Sequence, residues 1–379
     1  MRYYILAGEA SGDIHGANLI KALKSKDSEA EFRFWGGDLM AEAAGIAPVK
    51  HYKDLAFMGF VEVAKNIRTI LRNFKFCRAD IQKFEPDSII MIDYPGFNLR
   101  IAKWAKPLGH TVLYYISPQV WAWKANRVKD IKKYVDQLYT ILPFEADFYK
   151  KYDYEVQFVG HPLLDHIANY QASNDDLLKQ EKPIIALLPG SRKQEIRRML
   201  PRMLEVIPHF KNQYQFVIGG APAQELNFYQ EILGEQKIEQ EVEIVFNRTY
   251  DLMQAAEAAL VTSGTATLET ALFNTPEVVC YTGNPLSYQI AKRLIKVKYI
   301  SLVNLILDRP LVKELIQKEL SKENLIKTLG EITKGGDDRA RILNGYQELR
   351  RKLGNVGASE RTAFHMYKYL QAKTARTPS

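Results

Sequence analysis

Short apolar runs alternate with amphipathic segments along most of the chain, and the alternation starts again near its middle. The first half contains YYILA, SIIMI and TVLYYI, each followed by a segment with helical periodicity. The second half repeats this rhythm with IIALL, YQFVIGG, VEIVF, AALVT and EVVCY. Short buried strands separated by amphipathic helices are typical of parallel sheets with crossover helices. The pattern therefore predicts two doubly wound α/β domains, one after the other.

The length of 379 residues agrees with two domains, because single cores rarely grow beyond about 250 to 300 residues. A polar bridge near residues 160–182 separates the two series of strands. We predict an amino-terminal domain over residues 1–170, a carboxyl-terminal domain over residues 171–335 and carboxyl-terminal helices over residues 336–379. In such a pair we expect the carboxyl ends of the strands to face a shared cleft, where ligands bind.

Several features favour a cytoplasmic protein. No signal-peptide pattern precedes the first strand, and no uncharged apolar stretch approaches the length of a membrane span. Cys77 and Cys280 are far apart and have no His or Cys neighbours in the sequence, so we predict two reduced thiols and neither a disulfide nor a metal site.

The net charge of +8 indicates an acidic partner, either phosphate, nucleic acid or an anionic membrane. Charge alone does not choose among them.

A carboxylate follows one of the predicted buried strands directly. The run SIIMI ends at Ile92, and the next residues are Asp93, Tyr94, Pro95 and Gly96. An acidic residue in this position can cap the following helix. It can also do chemistry at the carboxyl end of the strand. The residues leave both interpretations open.

Two glycine turns in the second half have features of phosphate sites. In the first, Gly190 permits a tight turn, and Ser191 and Arg192 follow at the start of a predicted helix. Free amides at a helix start bind anions, and an arginine fork adds two donors for phosphate oxygens. Taken alone, such a turn is more often only a helix cap.

The second turn consists of Ser263, Gly264 and Thr265, again between a strand and a helix. Glu269 follows about one helical turn later, where its carboxylate can accept hydrogen bonds from sugar hydroxyls. Because two such turns occur in one domain, one with an arginine and one with a glutamate, we prefer the phosphate interpretation to simple capping. A ribose and a diphosphate satisfy both turns.

The first turn of the chain, in ILAGEASGDIHGA, lacks the G-x-G-x-x-G spacing of dinucleotide sites, and the chain has no P-loop motif. It still carries polar residues after the first strand, and we predict that they contact a polar substrate. These residues are Glu9, Ser11, Gly12, Asp13 and His15. Helix capping by Ser11 or Asp13 is an equally simple explanation, and His15 can be an ordinary polar residue of the helix.

The segment AKNIRTILRNFKF has an apolar face and a basic face at helical spacing. Residues 63–84 contain six basic side chains and one acid. A core helix with a solvated basic side is the simple explanation, whereas an interfacial helix on an anionic membrane is the functional one. We favour membrane contact, through Ile67, Arg68, Ile70, Leu71, Arg72, Phe74 and Lys75.

Nine motifs occur in one order along residues 7–320: AGEASGD, MGFVEV, IDYPGFN, SPQVWAWK, LPFE, FVGHPL, LLPGSR, TSGTATLE and SLVNL. In this series the chain resembles the lipid-A-disaccharide synthases, glycosyltransferases of lipopolysaccharide biosynthesis in Gram-negative bacteria. The resemblance implies a GT-B fold, with two Rossmann-like domains for acceptor and UDP-donor. It also implies functional roles for Asp93, Arg192 and Asn304, with Asn304 near the nucleotide. Glu277 departs from the family pattern, which more often has an uncharged residue there.

The resemblance further implies transfer from UDP-2,3-diacylglucosamine to 2,3-diacylglucosamine 1-phosphate, with release of UDP. A β-linkage made from an α-linked donor requires in-line attack and a base, a role that suits Asp93. We expect no cofactor and no metal, because helix amides and Arg192 can stabilise the leaving UDP. The acylated substrates indicate a peripheral position on the inner membrane.

Two alternatives remain at this point. A UDP-sugar epimerase of the same fold shares the nucleotide site but has no need of a basic, apolar amino-terminal helix. A nucleic-acid-binding protein agrees with the charge, but it requires basic residues interleaved with stacking aromatics, whereas Trp121 and Trp123 share one loop. We therefore expect no nucleic-acid partner. The oligomeric state stays open, with a homodimer as one option.

Overall fold

The chain forms two compact units. The computed structural model describes residues 1–55, 67–123, 125–171, 182–238, 241–284 and 297–375. Residues Met1–Asp165 and Asn355–Ser379 make the amino-terminal unit, and His166–Gly354 make the carboxyl-terminal unit. The predicted segment 336–379 is thus divided between the two units. The motif MGFVEV and the side chains of Ile67 and Trp123 lie outside the described residues.

Strands and helices alternate in the amino-terminal unit. The strands are β1 (Arg2–Ala7), β2 (Glu31–Gly36), β3 (Lys50–His51), β4 (Ser88–Ile92), β5 (Val112–Tyr115), β6 (Gln137–Thr140) and β7 (Gln157–Phe158). The helices are α1 (Ala10–Lys24), α2 (Asp38–Ala44), α3 (Ile67–Phe84), α4 (Pro95–Ala105), α5 (Val120–Trp123), α6 (Val128–Tyr134), α7 (Pro143–Lys150) and α8 (Pro162–Ala168), in which the boundary between the units falls. The sheet is parallel, with strand order β3-β2-β1-β4-β5-β6-β7.

The carboxyl-terminal unit repeats this plan. Its strands are β8 (Ile184–Leu188), β9 (Gln215–Gly220), β10 (Val242–Phe246), β11 (Ala256–Thr262), β12 (Glu277–Tyr281) and β13 (Lys313–Ile316). Its helices are α9 (Lys193–Leu204), α10 (Ile207–Phe210), α11 (Leu226–Gln236), α12 (Thr249–Ala255), α13 (Thr265–Leu272), α14 (Leu302–Leu307), α15 (Lys322–Ile332) and α16 (Arg339–Leu353). The sheet is again parallel, with order β10-β9-β8-β11-β12-β13. The predicted doubly wound α/β architecture is confirmed in both units.

Both faces of the amino-terminal sheet are covered by helices, which is why β4 and β5 are buried throughout. Alternate residues of β1 point to opposite faces, so that Ile5 joins one core and Leu6 the other. The last helix, α17 (Ala358–Thr374), returns to this unit and buries Met366 and Leu370 in the same core as Ile5. The Asp165 carboxylate accepts the Gly357 N–H at 2.5 Å and so holds the amino terminus of α17.

Strand order reverses direction once in each sheet, between β1 and β4 and between β8 and β11. Ligands of doubly wound sheets bind at such switch points, beyond the carboxyl ends of the strands. The loops after β1 and β4 contain Glu9 and Asp93, and those after β8 and β11 contain Arg192 and Ser263. The topology therefore brings the predicted site residues of each unit to the place where that unit should bind a ligand.

Within the described ranges, no helix has the length and hydropathy needed to cross a bilayer. Cys77 and Cys280 are both buried, and each carries a free thiol.

Candidate active site

The turn after β8 leads directly into helix α9. Gly190 has φ 107°, a left-handed conformation that favours glycine, and a Cβ atom there would lie 2.2 Å from Glu195 Oε2. Arg192 is the N-cap residue of α9 and is exposed, without a capping hydrogen bond from its side chain. The Ser191 N–H donates to the Glu195 carboxylate at 3.0 Å. Glu195, which the sequence analysis missed, therefore competes with any incoming anion for this amide.

The turn after β11 leads into helix α13 in the same way. Gly264 is exposed, and a Cβ atom there would meet no other atom within 4 Å. Thr265, also exposed, begins α13. The Ser263 hydroxyl donates to the Ile300 carbonyl at 2.9 Å, which ties this turn to the segment before α14.

These two turns line one cavity of about 400 Å³. The predicted donor residues that line it are Gly190, Ser191, Arg192, Ser263, Gly264, Thr265 and Glu269. The Tyr250 hydroxyl donates to Glu269 Oε1 at 2.8 Å, and burial raises the pKa of the Glu269 carboxyl. Exposed residues at two helix starts, small side chains and one arginine at a switch point form a site suited to a phosphate-bearing ligand.

Asn304 is not part of the cavity lining, although the resemblance implies that it lies near the nucleotide. It is 1% exposed, and its side-chain amide exchanges hydrogen bonds with the Val312 backbone at 2.9 and 3.0 Å. Its Nδ2 also donates to Glu314 Oε1 at 2.9 Å. Any effect of Asn304 on the cavity is therefore indirect and passes through Glu314.

Glu314 gathers donors from the segment that precedes α14. Its carboxylate accepts the Ile300 N–H at 3.0 Å, the Ser301 N–H at 2.9 Å and the Ser301 hydroxyl at 2.8 Å. The Ile300 carbonyl in turn accepts the Ser263 hydroxyl. A continuous chain of polar contacts therefore connects Asn304 to the wall of the cavity.

In the amino-terminal unit, Asp93 follows β4 in an unusual backbone conformation. Asp93 and Tyr94 have φ values of 43° and 49°, and Ile116, after the neighbouring strand β5, has φ 64°. Positive φ is strained for such residues, above all for a β-branched one, and such strain often marks functional sites. The Asp93 carbonyl is fixed by the Tyr114 hydroxyl at 2.5 Å and by Asn98 Nδ2 at 2.7 Å.

The Asp93 carboxyl is partly buried at this edge of the sheet. Burial raises its pKa to about 6, the negative charge of Glu9 contributes to the increase, and the Tyr94 N–H opposes it. The N-cap of α4 is Tyr94 and not Asp93, and no side chain makes a capping hydrogen bond there. The geometry therefore gives little support to the capping interpretation of Asp93.

The polar residues after β1 divide into two groups. Glu9 and Ser11 are exposed. Asp13 is 3% exposed, and its carboxylate accepts the Gly37 N–H at 2.7 Å and the Met40 N–H at 3.1 Å. Asp13 therefore holds the amino terminus of α2. Because its oxygens already accept these backbone hydrogen bonds, they are poorly available to an acceptor substrate.

Gly12 and His15 lie on the inner side of α1. A Cβ atom at Gly12 would lie 3.2 Å from that of Ala7, so the glycine allows α1 to approach β1. His15 is partly buried, with its ring edge-on to Tyr115 at 6.5 Å. Burial lowers the pKa of nearby His161 to about 3, and the charge of His15 adds to this effect.

Two motifs that carried no assigned role contact each other after strands β5 and β6. Trp121 Nε1 donates to Glu145 Oε1 at 3.3 Å, and the Leu142 N–H donates to Glu145 Oε2 at 2.9 Å. Glu145 is 1% exposed, and burial raises its pKa to about 7. The motifs SPQVWAWK and LPFE were visible in the sequence, but their contact spans 24 residues and only the fold brings it about.

Helix α3 turns only part of its apolar face outward. Phe74 is 6% exposed and stacks on Phe97 at 4.4 Å, and Ile70 packs against the same core. Leu71 is 58% exposed. Arg68, Arg72 and Lys75 are exposed as well. The predicted membrane face is therefore partly a core face, with Leu71 and the basic residues accessible.

The chain matches the family model described as Lipid-A-disaccharide synthetase over residues 3–366. The chain belongs to the lipid-A-disaccharide synthase family. It is 39% identical to the lipid-A-disaccharide synthase of Trichlorobacter lovleyi, with 96% of each chain covered, and 40% identical to that of Syntrophus aciditrophicus, with 95% of each covered. The resemblance seen in the nine motifs is confirmed.

Solved structures extend the comparison to the fold. The UDP-GlcNAc 2-epimerase from Neisseria meningitidis bound to UDP-GlcNAc aligns with a TM-score of 0.61 at 13% identity, covering 98% of this chain and 100% of that one. At this identity the likeness shows the fold alone, and it confirms the GT-B type. Because the family's sequence relatives are synthases at 35 to 40% identity, the epimerase and nucleic-acid alternatives are not favoured.

Proposed function

We propose that the protein transfers 2,3-diacylglucosamine from UDP to 2,3-diacylglucosamine 1-phosphate, forming a β-linked disaccharide 1-phosphate and UDP. The observation that carries this proposal is the family match over residues 3–366. The cavity at the switch point of the carboxyl-terminal unit supports it, since its exposed amides and Arg192 suit a diphosphate. A structural neighbour of the same fold is bound to UDP-GlcNAc.

The donor side of the reaction is proposed to use the two turns of this cavity. Amides at the starts of α9 and α13, together with the Arg192 guanidinium, bind the diphosphate of the donor. They also stabilise the negative charge that develops on UDP as the bond between the sugar C1 and the phosphate oxygen breaks. Glu269, on the cavity wall, is placed to accept hydrogen bonds from ribose hydroxyls.

The acceptor side is proposed to use Asp93 as general base. As the acceptor hydroxyl oxygen attacks C1 of the donor sugar, the Asp93 carboxylate takes the hydroxyl proton, and the bond to UDP breaks on the opposite face. This in-line displacement inverts the anomeric carbon. The exposed Glu9 and Ser11 are the residues after β1 best placed to contact the acceptor.

The proposed function is tested by measuring UDP release with both substrates and with each one omitted. The transferase requires both the UDP-diacylglucosamine and the acyl-glucosamine phosphate. An epimerase would instead convert the UDP-sugar without an acceptor, and a nucleic-acid-binding protein would release no UDP. Release that is independent of the acceptor, or the absence of release, would contradict the proposal.

Activity is expected to survive EDTA, since amides and Arg192 supply the charge stabilisation for the leaving UDP. Among the described residues, no group of three or more His, Cys, Asp and Glu is arranged to hold a metal ion. The check is the initial rate before and after dialysis against EDTA. A rate that falls to background and returns only with added magnesium would sink the metal-free mechanism.

We propose that Asn304 and Glu314 are positioning residues for the donor site. Glu314→Gln replaces one accepting oxygen with an NH₂ group, so that at least one of the donors from Ile300, Ser301 and Asn304 loses its acceptor. Hydrogen bonds to charged groups contribute about 1.5–3 kcal/mol, and UDP affinity should weaken roughly tenfold or more. The measurement is UDP binding by calorimetry.

The matched control is Glu319→Gln, which removes the same charge from an exposed position nearby and should bind UDP normally. A Glu314→Gln variant with a lowered thermal midpoint but unchanged UDP affinity would leave Glu314 with a structural role only.

We also propose peripheral contact with an anionic membrane through α3, since Leu71 is exposed beside Arg68, Arg72 and Lys75. Replacing these three basic residues with Ser should reduce sedimentation with anionic vesicles and make the remaining binding less sensitive to salt. If the triple variant sediments with vesicles as the parent does, α3 is only a solvated core helix.

A further inference from the structure

A second groove lies on the amino-terminal unit, between helices α3 and α4, and none of the candidate active-site residues lines it. Its volume is about 720 Å³. Four of its lining residues are cations, namely Lys75, Arg78, Arg100 and Lys103, and no acidic residue of the described chain lines it. Four positive charges without a neighbouring carboxylate create a local potential that favours an anionic occupant.

Two of these cations are held in place by aromatic rings. The Arg78 guanidinium lies 5.6 Å from the centre of the Trp104 ring, and that of Arg100 lies 5.6 Å from the centre of the Phe74 ring. Such stacking restricts the guanidinium groups before any ligand arrives. The groove is therefore organised for binding and is not merely a surface with mobile lysines.

Arg78 also has an unused donor. Its Nε is buried and has no hydrogen-bond partner among the described residues. A buried donor on a charged group that lacks an acceptor is costly, and a phosphate group that draws the guanidinium into the groove would relieve this cost.

Apart from Gln82, the rest of the lining is apolar. Phe74 and Trp104 contribute aromatic surface, and Leu71 contributes a side chain that is 58% exposed. Cations beside an apolar wall suit a molecule with a phosphate head and a hydrocarbon chain. A nucleic acid would need open aromatic faces for stacking, whereas Arg78 lies over the Trp104 ring.

We propose that this groove binds the headgroup of an anionic phospholipid, with Arg78 and Arg100 on the phosphate and an acyl chain against Leu71 and Trp104. The inference rests on the proposed membrane contact of α3 and gives that contact a discrete, saturable site. Arg68 and Arg72 lie outside the groove lining, whereas Lys75 lies in it, so Arg68→Ser with Arg72→Ser tests the general basic face of α3 without changing the groove.

The test is calorimetric titration of the full chain with dihexanoyl phosphatidylglycerol, kept below its micelle concentration and without sugar substrates. Parallel titrations use dihexanoyl phosphatidylcholine and inorganic phosphate at equal ionic strength. The variant is Arg78→Gln with Arg100→Gln. The matched control is Lys150→Gln with Lys151→Gln, which removes two charges from exposed positions of the same unit.

We expect saturable binding of one phosphatidylglycerol per chain, weakened at least tenfold in the Arg78/Arg100 variant and unchanged in the Lys150/Lys151 control. Equal binding by the parent and the Arg78/Arg100 variant would overturn the proposal. So would binding of phosphatidylcholine or of inorganic phosphate that is as tight as that of phosphatidylglycerol. Because the titration contains no sugar substrate, its outcome can be interpreted even if the proposed transferase activity is not found. Thermal midpoints of both double variants identify any loss of folding.

Discussion

Asp93→Asn is expected to lower turnover by two or more orders of magnitude, with folding and UDP affinity near those of the parent. Asn keeps the size of the side chain and can still make hydrogen bonds, but it cannot take the proton of the acceptor hydroxyl. The capping interpretation predicts instead a loss of about 1 kcal/mol of stability with chemistry largely intact. Turnover, thermal midpoint and UDP binding should be measured on one preparation. Near-normal turnover with a lowered midpoint would leave Asp93 as a helix cap.

The pH profile gives a second view of the same residue. A base must be deprotonated, and burial raises the pKa of Asp93 to about 6. Activity in the parent should therefore rise with pH through about 6. Because Glu9 contributes to the raised pKa, Glu9→Gln should move this limb to lower pH. An unchanged limb in Asp93→Asn, measured on the residual activity, would assign it to another group.

The stability of the protein should respond in the opposite direction to its activity. A carboxyl group with a raised pKa binds its proton more tightly in the folded chain than in the unfolded chain. The contribution of Asp93 to stability is therefore lost as pH rises from the ordinary aspartate range through about 6. Asp93→Asn removes this cost, so its thermal midpoint above pH 6 should be no lower than that of the parent.

Arg192→Ala should impair use of the donor by roughly 2 to 4 kcal/mol, the loss expected when one preorganised charge-stabilising donor is removed from a leaving group. This corresponds to about 30-fold to 1,000-fold in kcat/KM for the donor. The control is Arg198→Ala, an exposed arginine of the same helix that does not line the cavity. Donor kinetics equal to those of the parent would remove Arg192 from the site.

The sequence predicts best those parts of the fold that are buried on both sides. Strands β4 and β8 match the predicted runs SIIMI and IIALL residue for residue and are buried throughout, because parallel strands covered by helices need nearly continuous apolar side chains. Strands β10 and β12 also match their predicted runs, although each contains one glutamate. Strands β2 and β13 carry charged residues and were not predicted. Their strand conformation depends on neighbours in the sheet and is not visible in a local pattern.

In the candidate site, too, features that depend on neighbouring residues could be predicted from the sequence, whereas contacts between distant residues could not. The turns at Gly190 and Gly264 are local, so the sequence reveals them. The contact of Glu145 with Trp121 spans 24 residues and that of Glu314 with Ser301 spans 13, and no local spacing indicates either contact. Phe74 illustrates the reverse problem, since helical periodicity cannot distinguish a face turned to the core from one turned to a membrane.

The family resemblance indicated one site residue that local sequence patterns did not indicate. Asn304 sits in the motif SLVNL without any local sign of chemistry. Asn304 can affect the donor site without touching a ligand. It donates a hydrogen bond to Glu314, Glu314 accepts the Ile300 N–H, and the Ile300 carbonyl accepts the Ser263 hydroxyl. Glu277, the departure from the family pattern, is fully buried, and burial raises its pKa well above the ordinary value, with the charge of Glu314 as a second cause. Both carboxyl oxygens of Glu277 are buried and make no hydrogen bond among the described residues.

The most direct measurement of the central claim is the product of a reaction containing both acylated substrates. The sugar product should be isolated, weighed by mass spectrometry and examined at its new anomeric proton by NMR, with UDP measured in the same sample. The proposed function predicts one UDP for each disaccharide 1-phosphate, a β-linkage and loss of both in Asp93→Asn. A new UDP-sugar isomer formed without acceptor, or an α-linked disaccharide, would contradict it.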